Sequence, residues 1–492
     1  MSSRRRLSIS ILLVGVLVVG SGILSNKSSK SHKSLKTFNN QTLNWKNCYD
    51  GFECSTFEVP VDYRNIDSRT FTLQVLRHSA QRQENRLGTI IVNPGGPGGS
   101  ATDYAYNAQS IVSNELNQRY DIVGFDPRGI KGSEPIRCLS NSDEDAFLEA
   151  GAFGGGKEEI ENLVSISKDF ADKCADAAGD RLGHYSTLET AKDLEILRNL
   201  LREEKLNFLG KSYGTYLGTV YAALYPNSVG KMVLDGAVAP NLSLRDQELA
   251  QAVGFNTALN NYLASEKKFS IEDIKKLLAR ASIKPLQTEN HRATTQSLII
   301  TALAASLYNS KTGWKDLTRA LNYAINFEDP TGLLKLADGY NSRDLSGNFY
   351  NNQNDISIMI TCLDWPEKRT LQEMANDQIE FAQKSPIFGP YLGYAGLVCK
   401  YWKADALLPT VELANIRTSP ILVIGVTQDP ATPYDWALTL AKSFKNARLI
   451  TLEGEGHTGH NRGNKCVDRA VDSYFLTGKL PPLGLICAQS GN

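Results

Sequence analysis

A serine flanked by glycines stands between a predicted strand and a predicted helix. Gly-Lys-Ser-Tyr-Gly occupies residues 210–214, after the apolar run 206–209 and before the helix-like segment 215–225. In that setting, Gly-x-Ser-x-Gly is typical of a nucleophile on a sharp, strained turn, where the glycines relieve crowding. A chance match with a helix-capping serine is the alternative. We predict that Ser212 is a catalytic nucleophile.

A serine hydroxyl is a poor nucleophile at neutral pH unless a base removes its proton. Two histidines, His457 and His460, follow the long central helical region. His457 ends a glycine-rich loop that comes directly after the predicted strand 448–452. The His-x-x-His spacing also suits a metal, but a third ligand and the helical frame of a zinc site are missing. We predict His457 as the general base, and no metal.

A carboxylate must orient the histidine. In hydrolases whose nucleophile lies on such a turn between a strand and a helix, this carboxylate lies between the serine and the histidine along the chain. Asp429 and Asp435 both satisfy that order. Asp429 follows the predicted strand 421–426 by a few residues. Asp435 lies near the start of a predicted helix, where an acidic residue already has a structural role. We therefore predict Asp429 as the catalytic acid.

Backbone N–H groups must stabilise the oxyanion that forms when a serine attacks an acyl group. The glycine-rich loop 93–99 directly follows the predicted strand 89–92. Glycine allows the main chain to approach an acyl oxygen closely, and the residue after the nucleophile supplies a second donor. We predict an oxyanion hole formed by Gly95, Gly96 and Tyr213. No phosphate-binding pattern is present, so no cofactor is predicted.

Short apolar runs and helical periodicities alternate on both sides of a long helical region. This alternation predicts an α/β fold with a mostly parallel central sheet covered by helices. The middle of the chain is typical of successive helices, for example over 294–308 and 371–384. We predict a large helical cap inserted between the two halves of an α/β core, with the first half at 45–240, the cap at 241–410 and the second half at 411–492.

The N-terminus has the features of an export signal. Three arginines at 4–6 precede the apolar stretch 9–24, and a polar tail follows. This pattern predicts a secretory signal within residues 1–30. The apolar stretch, about 16 residues long, is marginal for crossing a bilayer, and an uncleaved anchor is the alternative. We predict a secreted protein, periplasmic or extracellular, that contacts a membrane only if the anchor is uncleaved.

Export also determines how the eight cysteines are interpreted, because an oxidising compartment favours disulfides. None of them forms a Cys-x-x-Cys pair, which argues against zinc. Sequence alone leaves about a hundred pairings open. The simplest prediction pairs neighbours along the chain: Cys48–Cys54, Cys138–Cys174, Cys362–Cys399 and Cys466–Cys487.

Composition and charge restrict the class of partner. Hydrophobic residues make up 41% of the chain and charged residues 22%, which excludes a wholly disordered chain and a polytopic membrane protein. Lys+Arg and Asp+Glu each total 53, so the formal net charge is zero. Nucleic acid binding depends on basic residues that neutralise phosphates. We therefore predict a small or neutral partner and no nucleic acid.

The sequence resembles the secreted tripeptidyl aminopeptidases, which are α/β-hydrolases related to the prolyl aminopeptidases. The matching stretches span nearly the whole chain after the leader and lie at 59–63, 93–100, 124–129, 193–198, 210–214, 234–236, 429–433 and 456–458. The resemblance implies an α/β-hydrolase fold and a serine exopeptidase that acts near the free N-terminus of a peptide substrate. It also implies that Ser212, Asp429 and His457 form the triad.

Two other functions remain as alternatives. A secreted carboxylic ester hydrolase would use the same triad, whereas a non-catalytic binding protein of this fold would typically lack one of its members. An aminopeptidase must bind a free α-ammonium group, which requires carboxylates facing the serine, and an esterase needs an apolar slot. Asp364 is our first candidate for the amine site and Glu367 the second. The alternative for Asp364 is a solvent-exposed or turn position.

Overall fold

The computed structural model describes residues 34–67, 69–151, 153–288, 292–406 and 412–489. Within these residues, ten strands form one sheet and two short strands form a separate pair. The strands are β1 Lys46–Tyr49, β2 Phe52–Pro60, β3 Thr70–His78, β4 Gly88–Asn93, β5 Tyr120–Phe125, β6 Leu206–Lys211, β7 Val229–Asp235, β8 Leu286–Gln287, β9 Ala293–Thr294, β10 Ile421–Gln428, β11 Ala447–Glu455 and β12 Leu485–Cys487.

The large sheet has the order β1-β2-β3-β5-β4-β6-β7-β10-β11-β12. The first three strands pair antiparallel, and β3 pairs antiparallel with β5. Every later neighbouring pair is parallel. The mostly parallel sheet and the α/β-hydrolase fold are therefore confirmed. Because parallel strands end at the same edge, residues just beyond β4, β6, β10 and β11 lie close to one another, as ligand sites of such sheets do.

The central strands are buried on both faces, which explains their continuous apolar runs. On β4, Ile91 packs into one core together with Phe208 of β6. Ile90 and Val92 point to the opposite face and pack with Leu209. Successive side chains of a strand alternate between faces, so each strand contributes to two cores and is held rigidly. That rigidity fixes the loops at the carboxyl edge.

Helices cover the sheet and also fill the long insertion. They are α1 Leu35–Asn39, α2 Ala101–Tyr106, α3 Ala108–Ile111, α4 Asn114–Arg119, α5 Asn141–Glu149, α6 Lys157–Ala178, α7 Thr187–Leu200, α8 Tyr213–Leu224, α9 Leu244–Glu266, α10 Ile271–Ile283, α11 Gln296–Leu307, α12 Gly313–Asn326, α13 Thr331–Tyr340, α14 Gln353–Asp364, α15 Leu371–Lys384, α16 Gly389–Leu392, α17 Leu397–Lys400, α18 Tyr434–Ser443 and α19 Lys465–Thr477. None of the helices among the described residues is long and apolar enough to cross a membrane.

The insertion between β7 and β10 holds helices α9 to α17, which we call the cap. Much of the cap has its own apolar core, which includes Phe255, Tyr262, Leu303 and Leu321. Helix α14 instead packs into the core of the sheet domain through side chains such as Ile356. The cap is therefore both a separate layer and directly docked onto the sheet. The predicted leader, residues 1–30, lies outside the described residues.

The long helix α6 is among the elements that were not predicted from the sequence. The connection between β5 and β6 contains α5 and the long helix α6. Helix α6 packs against α17 of the cap, and the disulfide Cys138–Cys174 ties its C-terminal part to the segment that precedes α5. The first half of the core therefore carries a helical excursion of its own, which extends the layer formed by the cap.

The structure contains the four disulfides predicted by pairing neighbouring cysteines. Disulfides of this kind form and persist in oxidising compartments, which supports an exported protein. Each closes a local loop and so restricts the unfolded chain.

We expect four disulfides and no free thiol in the purified protein, because all eight cysteines are paired. Intact-mass measurement before and after reduction checks this, since each reduced disulfide adds two hydrogen atoms. Stoichiometric labelling by a thiol reagent before reduction would contradict the prediction.

Candidate active site

Ser212 lies between the last residue of β6 and the first residue of α8. Its backbone has φ 54° and ψ −127°, an unfavourable conformation that costs about 1–3 kcal/mol. Its N–H donates to Asp235 O at 2.9 Å. A side chain at Gly210 would come within 2.4 Å of Gly214 O, so the turn requires the first motif glycine. The structure thus forms the strained nucleophile turn that the sequence predicts.

Asp429 and His457 are in direct contact. Nδ1 of His457 lies 2.9 Å from each carboxylate oxygen of Asp429, and both residues are buried. The carboxylate also accepts hydrogen bonds from the N–H groups of Ala431, Thr432 and Thr458 at 2.9, 2.9 and 3.2 Å. With its orientation fixed in this way, Asp429 holds the proton of His457 on Nδ1 and leaves Nε2 as the base.

The Nε2 atom of His457 is buried and makes no hydrogen bond to any residue that the structure describes. The ring lies next to Gly236, where an added Cβ would be 3.2 Å from Cε1 of the imidazole. Gly236 follows Asp235, the residue whose carbonyl accepts the N–H of Ser212. The imidazole of His457 therefore lies next to the end of β7 that also holds the backbone of Ser212. Catalytic hydrogen bonds often form only when substrate is bound.

The side chains of Asp235 and Lys211 hold the loop that carries His457 in place. The carboxylate of Asp235 accepts the N–H groups of Gly459 and His460 at 2.7 and 3.0 Å. Nζ of Lys211 donates to His460 O at 2.7 Å. His460 is itself buried, and burial lowers the pKa of its imidazole to about 3, so it stays neutral. His460 is thus part of the support of the loop, whereas His457 faces Asp429.

The glycine loop after β4 lies against the nucleophile. A side chain at Gly95 would come within 2.9 Å of Ser212 Cβ and 3.0 Å of Tyr213 N. Gly95 donates its N–H to Asn93 Oδ1 at 3.0 Å. The N–H groups of Gly96 and Tyr213 have no acceptor among the described residues, and both residues line a cavity with Ser212. The geometry favours Gly96 and Tyr213 as donors, while Gly95 permits the close approach.

The cavity at Ser212 has a volume of about 180 Å³ and is lined by residues of both the core and the cap. One of its walls is helix α9, which contributes Leu244, Gln247, Glu248 and Gln251. Glu248 is only 4% exposed. Its Oε2 atom accepts from Arg369 at 2.8 Å, but its Oε1 atom is buried without a partner among the described residues. An acidic group with an unused oxygen therefore shares the cavity of the nucleophile.

The two carboxylates predicted for the amine site lie elsewhere. Asp364 is buried, and its oxygens accept from Thr187 N at 2.9 Å and Thr187 Oγ1 at 2.5 Å. Neither Asp364 nor Glu367 is among the residues that line the cavity at Ser212. Glu367 accepts from Nε of Arg369 at 2.9 Å. Glu367 therefore touches the same arginine as Glu248, while Asp364 does not face the nucleophile.

Sequence reasoning missed Glu248, although a signal was present. Leu244, Gln247, Glu248 and Gln251 are spaced i, i+3, i+4 and i+7, so they form one face of α9. A charged residue between polar and apolar residues on an inward helix face is unusual, because burying a charge is costly unless it is paired. That spacing could have been recognised from the sequence. The surface on which this face of α9 packs could not.

Several named proteins are similar to this chain in sequence. The model of a family described as TAP-like protein matches residues 385–487. The serine protease Hip1 of Mycobacterium tuberculosis is 32% identical over 460 residues, which cover 89% of this chain and 87% of that protein. Carboxylesterase B of the same organism is 33% identical over 452 residues, with 88% and 86% covered. The tripeptidyl aminopeptidase of Streptomyces lividans is 30% identical over 477 residues, with 91% and 86% covered. The similarity thus includes both the core and the cap.

Proposed function

The chain is a serine hydrolase of the TAP-like family of α/β-hydrolases, and we propose that it is an exported exopeptidase that cuts near the free N-terminus of peptides. The observation that carries this proposal is the carboxylate of Glu248 in the wall of the cavity at Ser212, with one oxygen that has no partner among the described residues. The proposal agrees with the peptidase names of two relatives.

The chemistry follows the order of the contacts. Ser212 attacks the acyl carbon of the substrate while His457 accepts the hydroxyl proton at Nε2, and Asp429 stabilises the imidazolium that forms. The N–H groups of Gly96 and Tyr213 bind the oxyanion. His457 then protonates the leaving amine, and an acyl-enzyme remains on Ser212. A water molecule, activated by the same histidine, releases the acyl product.

The charges around Glu248 explain why an ammonium group would bind there. Arg369 is shared by three carboxylates, because it also contacts Glu367 and Asp377 at 2.9 and 3.0 Å. Arg245 adds a second positive charge at 2.7 Å from Asp377, yet Glu248 Oε1 stays without a donor among the described residues. Burial, together with the charges of Glu367 and Asp377, raises the pKa of Glu248 against the opposing effect of Arg369. A cation that entered the cavity would stabilise the ionised carboxylate.

The ester hydrolase is the second candidate, because a carboxylesterase is among the relatives. Its substrate would require an apolar slot at the acyl side of the nucleophile. The cavity does have apolar walls, including Trp365, Trp436 and Val238. However, an ester without an amine would leave Oε1 of the buried Glu248 without a donor among the described residues, which is unfavourable. The position of that carboxylate therefore favours the peptidase.

The proposal is tested by blocking the amine. We expect N-acetylation of a good short peptide substrate to lower kcat/KM about 10²-fold, which corresponds to about 2.7 kcal/mol. Glu248→Gln should lower kcat/KM for the free peptide by a similar factor and leave the acetylated peptide nearly unaffected. Steady-state kinetics of both enzymes on both substrates measures this.

A matched control is Glu380→Gln, since Glu380 belongs to the same cap and contacts Arg245 and Lys384 but does not line the cavity. It should retain the discrimination between free and blocked amines. Equal rates of the wild-type protein on free and acetylated peptides would overturn the exopeptidase and favour the ester hydrolase or an endopeptidase. Retained discrimination in Glu248→Gln would place the amine site elsewhere in the cap.

A further inference from the structure

Asp364, the last residue of α14, is a buried carboxylate without a cationic partner among the described residues. Its two oxygens accept from one residue, Thr187, through the backbone N–H at 2.9 Å and the hydroxyl at 2.5 Å. Thr187 is the first residue of α7, so its N–H is one of those that the helix leaves unpaired, at the positive end of the helix dipole. Asp364 thus joins the cap to the start of a core helix.

The same threonine reaches the residue after the nucleophile. Thr187 Oγ1 is hydrogen-bonded to the phenol oxygen of Tyr213. When Asp364 is ionised, the hydroxyl of Thr187 must donate to it, so Tyr213 donates to Thr187. The result is a buried chain of hydrogen bonds that runs from Tyr213 through Thr187 to Asp364.

We propose that Thr187 and Asp364 are positioning residues for the oxyanion hole, because they fix Tyr213 so that its N–H faces the oxyanion formed at Ser212. The inference rests on the proposed hydrolase chemistry but not on the choice between peptides and esters. It means that the contact between the cap and the core affects the rate of catalysis.

The backbone at the nucleophile explains why such a tether is needed. Ser212 holds an unfavourable backbone conformation, and conformations of this kind persist only where their surroundings over-determine them. On one side, the N–H of Ser212 is fixed by Asp235 O. On the other side of Ser212, the next residue, Tyr213, is held by the hydrogen bond between its phenol oxygen and Thr187. An oxyanion donor acts only within a narrow range of distances, so a small displacement of Tyr213 lowers the rate.

The same chain connects the oxyanion hole to the substrate cavity. Trp365, which follows Asp364, lines the cavity and packs on Tyr216 with ring centroids 4.7 Å apart. Cys362, two residues before Asp364, is linked to Cys399. Burial raises the pKa of Asp364 to about 7 although the hydrogen bonds from Thr187 oppose this shift. Holding a carboxylate in such a place is costly, which supports a role beyond packing.

The experiment compares Thr187→Val, Tyr213→Phe and the conservative Thr187→Ser in the full-length protein. We expect Thr187→Val and Tyr213→Phe to lower kcat about 10- to 100-fold with KM changed less than about threefold. The loss should be equal on a short peptide and on a nitrophenyl ester. Thr187→Ser keeps the hydroxyl and should retain kcat within about threefold. The double variant should be no slower than Thr187→Val alone, because both changes break one chain.

A second readout separates positioning from general destabilisation. A peptidyl trifluoromethyl ketone, which forms an oxyanion on Ser212, should bind the two slow variants more weakly by the same factor as the loss of kcat. At Asp364, alanine should reproduce the loss, whereas asparagine can still both accept from and donate to Thr187 and should retain most of kcat. Asp364→Asn should also retain the discrimination between free and acetylated peptides.

The possible outcomes are distinct. Unchanged kcat and unchanged affinity for the ketone in Thr187→Val and Tyr213→Phe would overturn the positioning role. If Thr187→Val fails to fold, the kinetics of Tyr213→Phe alone decides between the two results. Failure of the exopeptidase proposal would appear differently, as equal rates of the wild-type protein on free and blocked peptides, while the ester still reports on the oxyanion hole.

Discussion

Replacement of Ser212 by alanine is expected to lower kcat about 10⁶-fold on peptides and esters alike. The hydroxyl supplies the electron pair that forms the acyl-enzyme. The cavity also has the hydroxyl side chains of Thr361 and Thr432, but neither of these residues lies on the strained turn between β6 and α8. Steady-state kinetics with a nitrophenyl ester gives the effect, and a fluorophosphonate probe should label the wild-type protein but not the variant.

The fold should survive this change. The side chain of Ser212 makes no capping hydrogen bond to α8, and alanine has the same strain at a positive φ as serine, so the free energy of unfolding should change by less than about 1 kcal/mol. Ser282→Ala, at an exposed position of the cap, is a matched control that should keep full activity. Turnover of Ser212→Ala within tenfold of the wild-type value, in a preparation free of other hydrolases, would contradict the assignment.

The position of the triad could be predicted because strand ends determine it. Ser212 follows β6 directly, Asp429 follows β10 directly, and His457 lies two residues beyond β11. In a parallel sheet these strand ends lie at the same edge. The three predicted strands and the order of the serine, the aspartate and the histidine along the chain are therefore sufficient to predict that their side chains lie close together. The oxyanion loop after β4 was predicted for the same reason. The hydrogen bond from Gly95 to Asn93 Oδ1 was not, because it depends on the path of the loop.

The amine site could not be predicted in the same way. Helical periodicity shows which face of a helix is inward but not which surface it meets. Asp364 and Glu248 are both buried cap carboxylates, and only the docking of α9 and α14 on the sheet decides which of them shares the cavity with Ser212. Helix α6 is a different case. Its apolar residues Phe170, Ala171 and Cys174 follow helical spacing, so the helix could have been recognised, but its packing on the cap could not.

The second large effect is expected from Asp429→Asn, which should lower kcat about 10⁴-fold. The reason lies in the donors around the carboxylate. Oδ1 accepts two backbone N–H groups at 2.9 Å, those of Ala431 and Thr432. Oδ2 accepts one, that of Thr458, at 3.2 Å. We therefore expect the amide oxygen of asparagine to take the Oδ1 position. The amide nitrogen is then placed where Oδ2 faced Nδ1 of His457.

An amide nitrogen there donates to Nδ1 and moves the imidazole proton to Nε2, so that the base can no longer accept a proton from Ser212. Asp435→Asn is the control: Asp435 is exposed in the first turn of α18, where the structure shows the helix starting after Pro433. It should change stability by at most about 1 kcal/mol, through the helix dipole, and leave kcat intact. Kinetics and thermal unfolding of the two variants measure these effects. Exchanged phenotypes would make Asp435 the catalytic acid, and that result would require His457 to turn away from a carboxylate that lies 2.9 Å from its Nδ1.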